Sequence, residues 1–251
     1  MSNNKKGNLP QEFVEETLEH FKNYLEIKDK ILKNEYVEIF GEISKVVGFV
    51  KGVNDLITEK KFQRFLEGFD ENEQPSEAKI KKLVKYVSNE KRAEFISTTF
   101  TKVVLSNSSK SCLVMGSILN SIVSNEGPIE HQKLICINAL TNFFDNDLNN
   151  FIILYEYIEE KTKLEKRKAK SIYLPSLRKY CKENNLDYDS LYLTVEKCVS
   201  TQIMSKYYLS DIDASVDIDM EQVDINNNEI DEYHQITDPG KILYKFMIRV
   251  L

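Results

Sequence analysis

Two runs of like charge hold the residues best placed by type and spacing to do chemistry. Between Lys161 and Lys182 there are nine basic residues and one acid, Glu165. Six of the cations fall within ten positions: Lys161, Lys163, Lys166, Arg167, Lys168 and Lys170. Cations at that density can neutralise phosphates and release their counterions, so Lys163, Lys166, Arg167, Lys168 and Lys170 are candidate nucleic-acid or anion contacts. Between Asp211 and Glu232 there are nine acids and no Lys or Arg. Asp211, Asp213, Asp217, Asp219 and Glu221 recur at a spacing of two or a multiple of it, which puts their carboxylates on one side of a strand as a candidate acidic partner surface. Spaced carboxylates resemble phosphates electrostatically, so mimicry of nucleic acid is one use for them. The plain structural readings are a solvated helix joining two domains and a solubilising hairpin.

The same residues argue against nucleic acid as the main partner. The helix expected after the basic run begins Asp187-Tyr188-Asp189, and acids there repel a phosphate backbone. The acidic hairpin repels it too. The expected partner is therefore a protein, either a second copy of this chain or a foreign one.

Catalytic and metal-binding patterns are scarce. His20, His131 and His234 stand alone in the sequence, with no HExxH or HxH pair and no GxSxG elbow. No glycine lies between Gly127 and Gly240, which removes a nucleotide-binding glycine loop from that half. Ser106-Asn107-Ser108-Ser109-Lys110-Ser111 precedes a helix but lacks those glycines, so capping is its expected role. The pairs Glu159-Glu160 and Asp145/Asp147 read as partners of helix dipoles. Cys112, Cys136, Cys181 and Cys198 are far apart with no CxxC, which fits reduced, buried thiols and neither a zinc site nor a secreted disulfide framework. No catalytic residue, cofactor or metal is expected. A hydrolytic enzyme would need acids and histidines that converge only in space.

Composition sets the frame for these residues. The 251 residues are 41% hydrophobic and 10% aromatic, enough to bury a core, and the net charge of -6 disfavours indiscriminate binding to nucleic acid. Met1 to Asn8 is polar and leads into an acidic helix, so no leader is expected. The most apolar stretch, Ile39 to Ile57, is broken by Glu42, Lys45, Lys51 and Asp55, so no membrane span is expected and the reading is cytoplasmic. Within that stretch Gly48 and Gly52 share a helix face and suit close packing in a soluble protein.

Pro10, Pro75, Pro128, Pro175 and Pro239 each stand where a helix can start. Apolar residues at helical spacing predict helices over about 10–34 and 35–57, and a short one capped by Thr58. Further helices follow around Ile80 to Val87, Phe95 to Val104, Cys112 to Ile122, Leu134 to Leu140 and, capped by Asp145, Leu148 to Ile158. After about residue 170 come two short helices, 175–184 and 188–201, split by Asn184-Asn185. Strict alternation from Asp211 to Glu221 predicts a strand, Asn226-Asn227-Asn228 its turn, and Tyr233 to Ile236 its return. Thr237-Asp238-Pro239 opens a last helix. The expected fold is mainly α: a flexible start at 1–9, a helical bundle over 10–160, a basic linker helix at 161–171, and a winged-helix-like α+β module with an acidic hairpin at 172–251.

This order and texture resemble a loosely defined, poorly characterised group of bacterial and prophage helical-bundle proteins with a C-terminal winged-helix-like tail. The residues that carry the resemblance are Phe62-Gln-Arg-Phe-Leu66, Lys82-Leu-Val-Lys-Tyr-Val87 and Lys91-Arg-Ala-Glu-Phe-Ile96. They are followed by the serine-containing loop, Cys112 to Val123, Leu140 to Tyr157 and Thr237-Asp-Pro-Gly240. The likeness covers about 45–251 and transfers no site residue. It implies a link to phage–host conflict. Many members carry an apolar membrane segment where this chain has the charged Ile39 to Ile57 stretch, a departure from the group. The expected function is a non-enzymatic protein-interaction module of bacterial or prophage origin, in phage defence or counter-defence and as a homo-oligomer. The alternative is a nucleic-acid-binding regulator that uses 161–182.

Overall fold

The computed structural model describes residues 56–70, 86, 90–125, 129–165, 171–217 and 222–251. It is mainly helical with one small antiparallel sheet. In chain order the elements are α1 (Leu56–Asp70), α2 (Glu90–Leu105), α3 (Ser109–Ser124), α4 (His131–Asn142), α5 (Asp145–Glu165), β1 (Ser171–Tyr173), α6 (Leu174–Glu183), α7 (Tyr188–Ser200), β2 (Met204–Asp217), β3 (Gln222–Ile236) and α8 (Asp238–Val250). They fall into two compact units: one takes the described residues up to Asp145 with 245–251, the other Asn146–Tyr244. The expected helix at 10–34, nearly all of the one at 35–57, and the Gly48/Gly52 pair lie outside the described residues.

In the first unit α3 is buried on nearly every side, because its sequence is apolar or small almost all round. Cys112, Val114, Met115, Ile118 and Leu119 are all fully buried. Each large aliphatic side chain among them contributes about 2 kcal/mol of transfer free energy. Ser108 caps the helix: its hydroxyl accepts from the Ser111 amide at 3.0 Å. The same hydroxyl donates to the Asp145 carboxylate. The serine-rich loop is therefore a cap, as its lack of glycine implied.

α1 makes the most extensive helix–helix contact, with α3. It starts at Leu56 and runs through Thr58, the residue expected to cap it. Phe65, Leu66 and Phe69 are buried, and Phe65 meets Phe100 of α2 edge-on at 5.6 Å. The two helices touch backbone to backbone. A Cβ on Gly68 would strike the Leu113 carbonyl, and one on Gly116 the Phe65 carbonyl. Glycine is required there for approach, not for an unusual φ.

In the second unit the sheet order is β1-β3-β2, all antiparallel. Pro175 sits in the first turn of α6, where its missing N–H is not needed. Both short helices end in a Schellman-type cap: Asn185 (φ 52°) and Gln202 (φ 65°) take left-handed conformations, and Leu186 and Ile203 donate back to the Cys181 and Cys198 carbonyls at 2.9 and 2.8 Å. Thr237 then closes the module. Its hydroxyl lies 2.8 Å from both the Gln202 and Ile203 carbonyls and accepts from the Gly240 amide at 3.2 Å, capping α8.

Three features differ from expectation. β1 is too short, at three residues, to show a period of two in sequence. The hairpin begins at Met204, well before the alternating run. The asparagine triplet is not a turn: Asn227 and Asn228 pair with Asp213 and Ile212, Ile225 pairs with Ala214, and Asn226 is the extra residue of a β-bulge. Asparagine suits both settings for the same reason, its tolerance of irregular backbone, so composition alone cannot separate them.

One face of this sheet carries a ladder of tyrosines. Tyr173, Tyr233 and Tyr207 pair in register across β1, β3 and β2, with ring centroids 5.3 and 5.5 Å apart. Polar atoms tie α5 to α7. Lys197 Nζ lies 2.5 Å from Asp147 Oδ2, Thr194 Oγ1 donates to Asp147 Oδ1 at 3.1 Å, and Asn150 donates to the Ser190 hydroxyl at 2.9 Å.

Candidate functional site

The strongest convergence of functional groups is built on β3, the central strand of the sheet. Alternate residues of a strand share a face, so Glu232 and His234 point the same way. Lys206 of β2 is the direct cross-strand neighbour of His234, and Ile172 of β1 flanks it on the other side. α7 lays Glu196 over the same spot. Lys206 Nζ lies 3.0 Å from Glu196 Oε1 and 3.1 Å from Glu232 Oε1. His234 Nε2 lies 3.3 Å from that Glu232 oxygen and 3.7 Å from that Glu196 oxygen.

Burial decides the charges. The His234 side chain is 0% exposed, while Glu196, Glu232 and Lys206 are 39, 28 and 24% exposed. Burial pushes the imidazole below its ordinary pKa and the Lys206 ammonium adds to that, outweighing the opposite pull of Glu232 and Glu196. The ring is therefore neutral at pH 7. Burial also works against the Lys206 ammonium, but hydrogen bonds and charge from both glutamates together raise its pKa above the usual lysine range. The site is a solvated carboxylate pair bridged by an ammonium, over a dry neutral imidazole.

The sequence leaves His234 standing alone; the structure corrects this. Its partners come from β2, from α7 and from two positions away on its own strand. The one local signal was Glu232-x-His234, which becomes a pair only once β3 is known to be a strand.

The residues singled out by charge are distributed differently. Lys163 is exposed in the last turn of α5, whereas Lys166, Arg167, Lys168 and Lys170 lie outside the described residues. Asp211, Asp213 and Asp217 lie on β2, opposite Glu229, Asn227 and Gln222. Asp219 and Glu221 lie outside the described residues. Large apolar side chains also stand exposed in this unit: Leu193 on α7 (66%), Tyr208 of β2 and Ile230 of β3 on the sheet face of Glu232, and Leu209 of β2 on the opposite face.

All four cysteines are free and buried. Burial raises Cys112 to about 11, against smaller opposing effects of Ser106 and Lys61, and burial also raises Cys198, with Asp147 adding to it. Among the described residues no helix is long and apolar enough to cross a membrane. No family model, curated protein or solved structure matches this chain.

Proposed function

We propose that residues 171–250 form a winged-helix-like module that binds protein, and that the chain as a whole is a non-enzymatic interaction protein. The order strand, helix, helix, strand, strand, helix, with the first strand beside the last, supports the winged-helix reading. α7 then stands in the position of a recognition helix. Its make-up carries the choice of partner. It opens on Asp187 and Asp189, its single cation Lys197 is bound to Asp147, and it presents Leu193 to solvent. A helix that enters a DNA groove needs donors and cations at those places. Exposed Leu193, with Tyr208 and Ile230 exposed on the hairpin face that carries Lys206 and Glu232, suits a protein interface with an apolar centre. The resemblance to prophage-associated bundles supports a setting in phage–host conflict, and the partner is a foreign protein or a second copy of this chain.

Nucleic acid is the second reading, and exposed Arg178, Lys179 and Lys182 on α6 favour it. One experiment separates the two. The tagged chain and its Leu193→Asp/Ile230→Asp variant are used to capture partners from the host, with and without nuclease and at two salt concentrations. A protein partner that survives nuclease and high salt and is lost with the variant upholds the proposal. Captured nucleic acid that dissociates steeply with salt, and is lost when Lys166, Arg167 and Lys168 are changed to Glu, replaces it with the second reading.

A further inference from the structure

His234 is unused by an interaction role, and its surroundings are unusual. It is fully buried, and among the described residues neither Nδ1 nor Nε2 makes a well-formed hydrogen bond, Nε2 meeting Glu232 Oε1 at 3.3 Å without the alignment of one. A neutral imidazole carries one N–H and one lone pair, so leaving both unmatched in a dry site is costly unless a ligand completes it. Nε2 faces the two carboxylate oxygens already described. We propose that Glu196, Glu232 and His234 are the protein ligands of a divalent transition-metal ion, with Zn²⁺ the best fit, and that Lys206 is a built-in cation which the metal displaces.

The geometry supports this directly. An ion with bonds of about 2.0–2.2 Å in tetrahedral array sets its donor atoms about 3.4 Å apart. The two imidazole–carboxylate separations are 3.3 and 3.7 Å, and all three donors lie within 4.8 Å of one another. The ligands also sit on regular structure, two on the central strand and one on α7, which holds them in place without a flexible loop.

Charge and ligand type narrow the ion. Two carboxylates and one neutral imidazole cancel a charge of two. An imidazole nitrogen disfavours Ca²⁺ and Mg²⁺, which prefer all-oxygen ligands, and suits zinc and its first-row neighbours. The carboxylates face solvent, so the ion has a path in and a fourth position open to water. Nδ1 lacks the outer acceptor that usually orients a ligating histidine, which sets the affinity in a weak to moderate range.

Lys206 explains how the site is stable without metal. Its ammonium bridges the same Oε1 atoms that the ion needs, so ammonium and metal exclude each other. The lysine is on an edge strand with a flexible four-carbon stem, and it can swing to solvent when displaced. This gives a prediction of unusual sign. Removing a cation-bearing side chain from an ordinary ion-pair network loosens it, whereas here Lys206→Met removes the metal's competitor.

The test uses the full chain, freed of metal by chelator and exchanged into chelator-free buffer. Zn²⁺ is titrated calorimetrically, and Co²⁺ is followed by its visible d–d absorption. The expected result is one equivalent bound by the wild type. Affinity rises at least tenfold in Lys206→Met and falls at least tenfold in Glu196→Gln and His234→Ala. Glu196 is partly exposed on a helix, so its variant keeps the test decisive if His234→Ala fails to fold, as judged by circular dichroism. The proposal is overturned if neither the wild type nor Lys206→Met binds either ion. It is equally overturned if Glu196→Gln binds as the wild type does, or if Lys206→Met binds more weakly.

Discussion

In the first unit the closest packing is between two backbones, α1 and α3 meeting at Gly68 and Gly116, and the buried polar groups of α3 and the loop before it are hydroxyls and a thiol. In the second, the polar positions near the core are filled by ions: Asp147 with Lys197, and Lys206 with Glu196 and Glu232. Shape specifies the α1–α3 contact and charge these clusters, although the first unit also holds the Lys133–Glu130 pair and the second a close approach of Gly240 to the Ile203 carbonyl. A missing or extra methyl group should therefore disturb the first most, and a lost charge the second. Interiors are packed near crystal density and have no room to absorb an added atom between two main chains.

The sharpest way to break this contrast is Gly116→Ala. The new methyl meets the Phe65 carbonyl, which cannot move without shifting α1, so the expected loss is about 3 kcal/mol, the upper end for overpacking, in urea denaturation followed by circular dichroism. A loss under about 1 kcal/mol would show that the helices separate freely and that shape does not specify this unit.

Next in size is an alkaline effect of the first unit. Cys112 titrates near 11 in the folded chain, above its ordinary value of 9.0. A raised folded pKa means the stabilisation is complete below about pH 9 and is lost as pH rises to about 11, because the unfolded thiol ionises first. Two units correspond to about 2.7 kcal/mol. The difference in unfolding free energy between the wild type and Cys112→Ala should shrink by that order across this window. A difference that stays constant with pH would place the thiol in a wetter site.

In the second unit Asp147→Ala removes the acceptor shared by Thr194 and Lys197 at a position 7% exposed. We expect a loss of about 2 kcal/mol, discounted because Lys197 keeps some solvent, and a weaker dependence of stability on salt than in the wild type. The smallest effect on stability belongs to Leu193→Asp, within about 0.5 kcal/mol, since the side chain is two-thirds exposed (66%). The same variant should nonetheless reduce partner capture. If it destabilises the fold instead, Leu193 is a structural residue and the interface lies elsewhere.

The helices were legible where a stripe of large side chains recurs with a period near 3.6, as in Phe95 to Val104 or Leu148 to Ile158. Some caps were legible too, because Ser108 and Thr237 act within three residues of themselves, whereas Thr58 lies inside its helix and Asp187 was read only as a helix start. The hairpin was legible as an alternating run, but not its length, since Met204 to Leu209 mixes residue types without period. The bulge at Asn226 was read as a turn for want of any local difference between the two. The Glu196–Lys206–Glu232–His234 cluster was invisible for a deeper reason. Its members lie on three elements, and their proximity depends on a strand register that no short stretch of sequence encodes.

The tyrosine ladder has a spectroscopic consequence. The chain has 13 tyrosines and no tryptophan, so no indole is present to dominate its ultraviolet absorption or drain its tyrosine emission. The rings of Tyr173, Tyr233 and Tyr207 are close and near parallel, as are Tyr155 and Tyr244 at 3.7 Å, and all five belong to Asn146–Tyr244. Coupled transitions of stacked phenols give a near-ultraviolet circular dichroism signal that isolated tyrosines lack. The wild-type chain thus carries its own optical reporter for the second unit. It needs no label, and it can follow the melting of the sheet while far-ultraviolet ellipticity follows the helices.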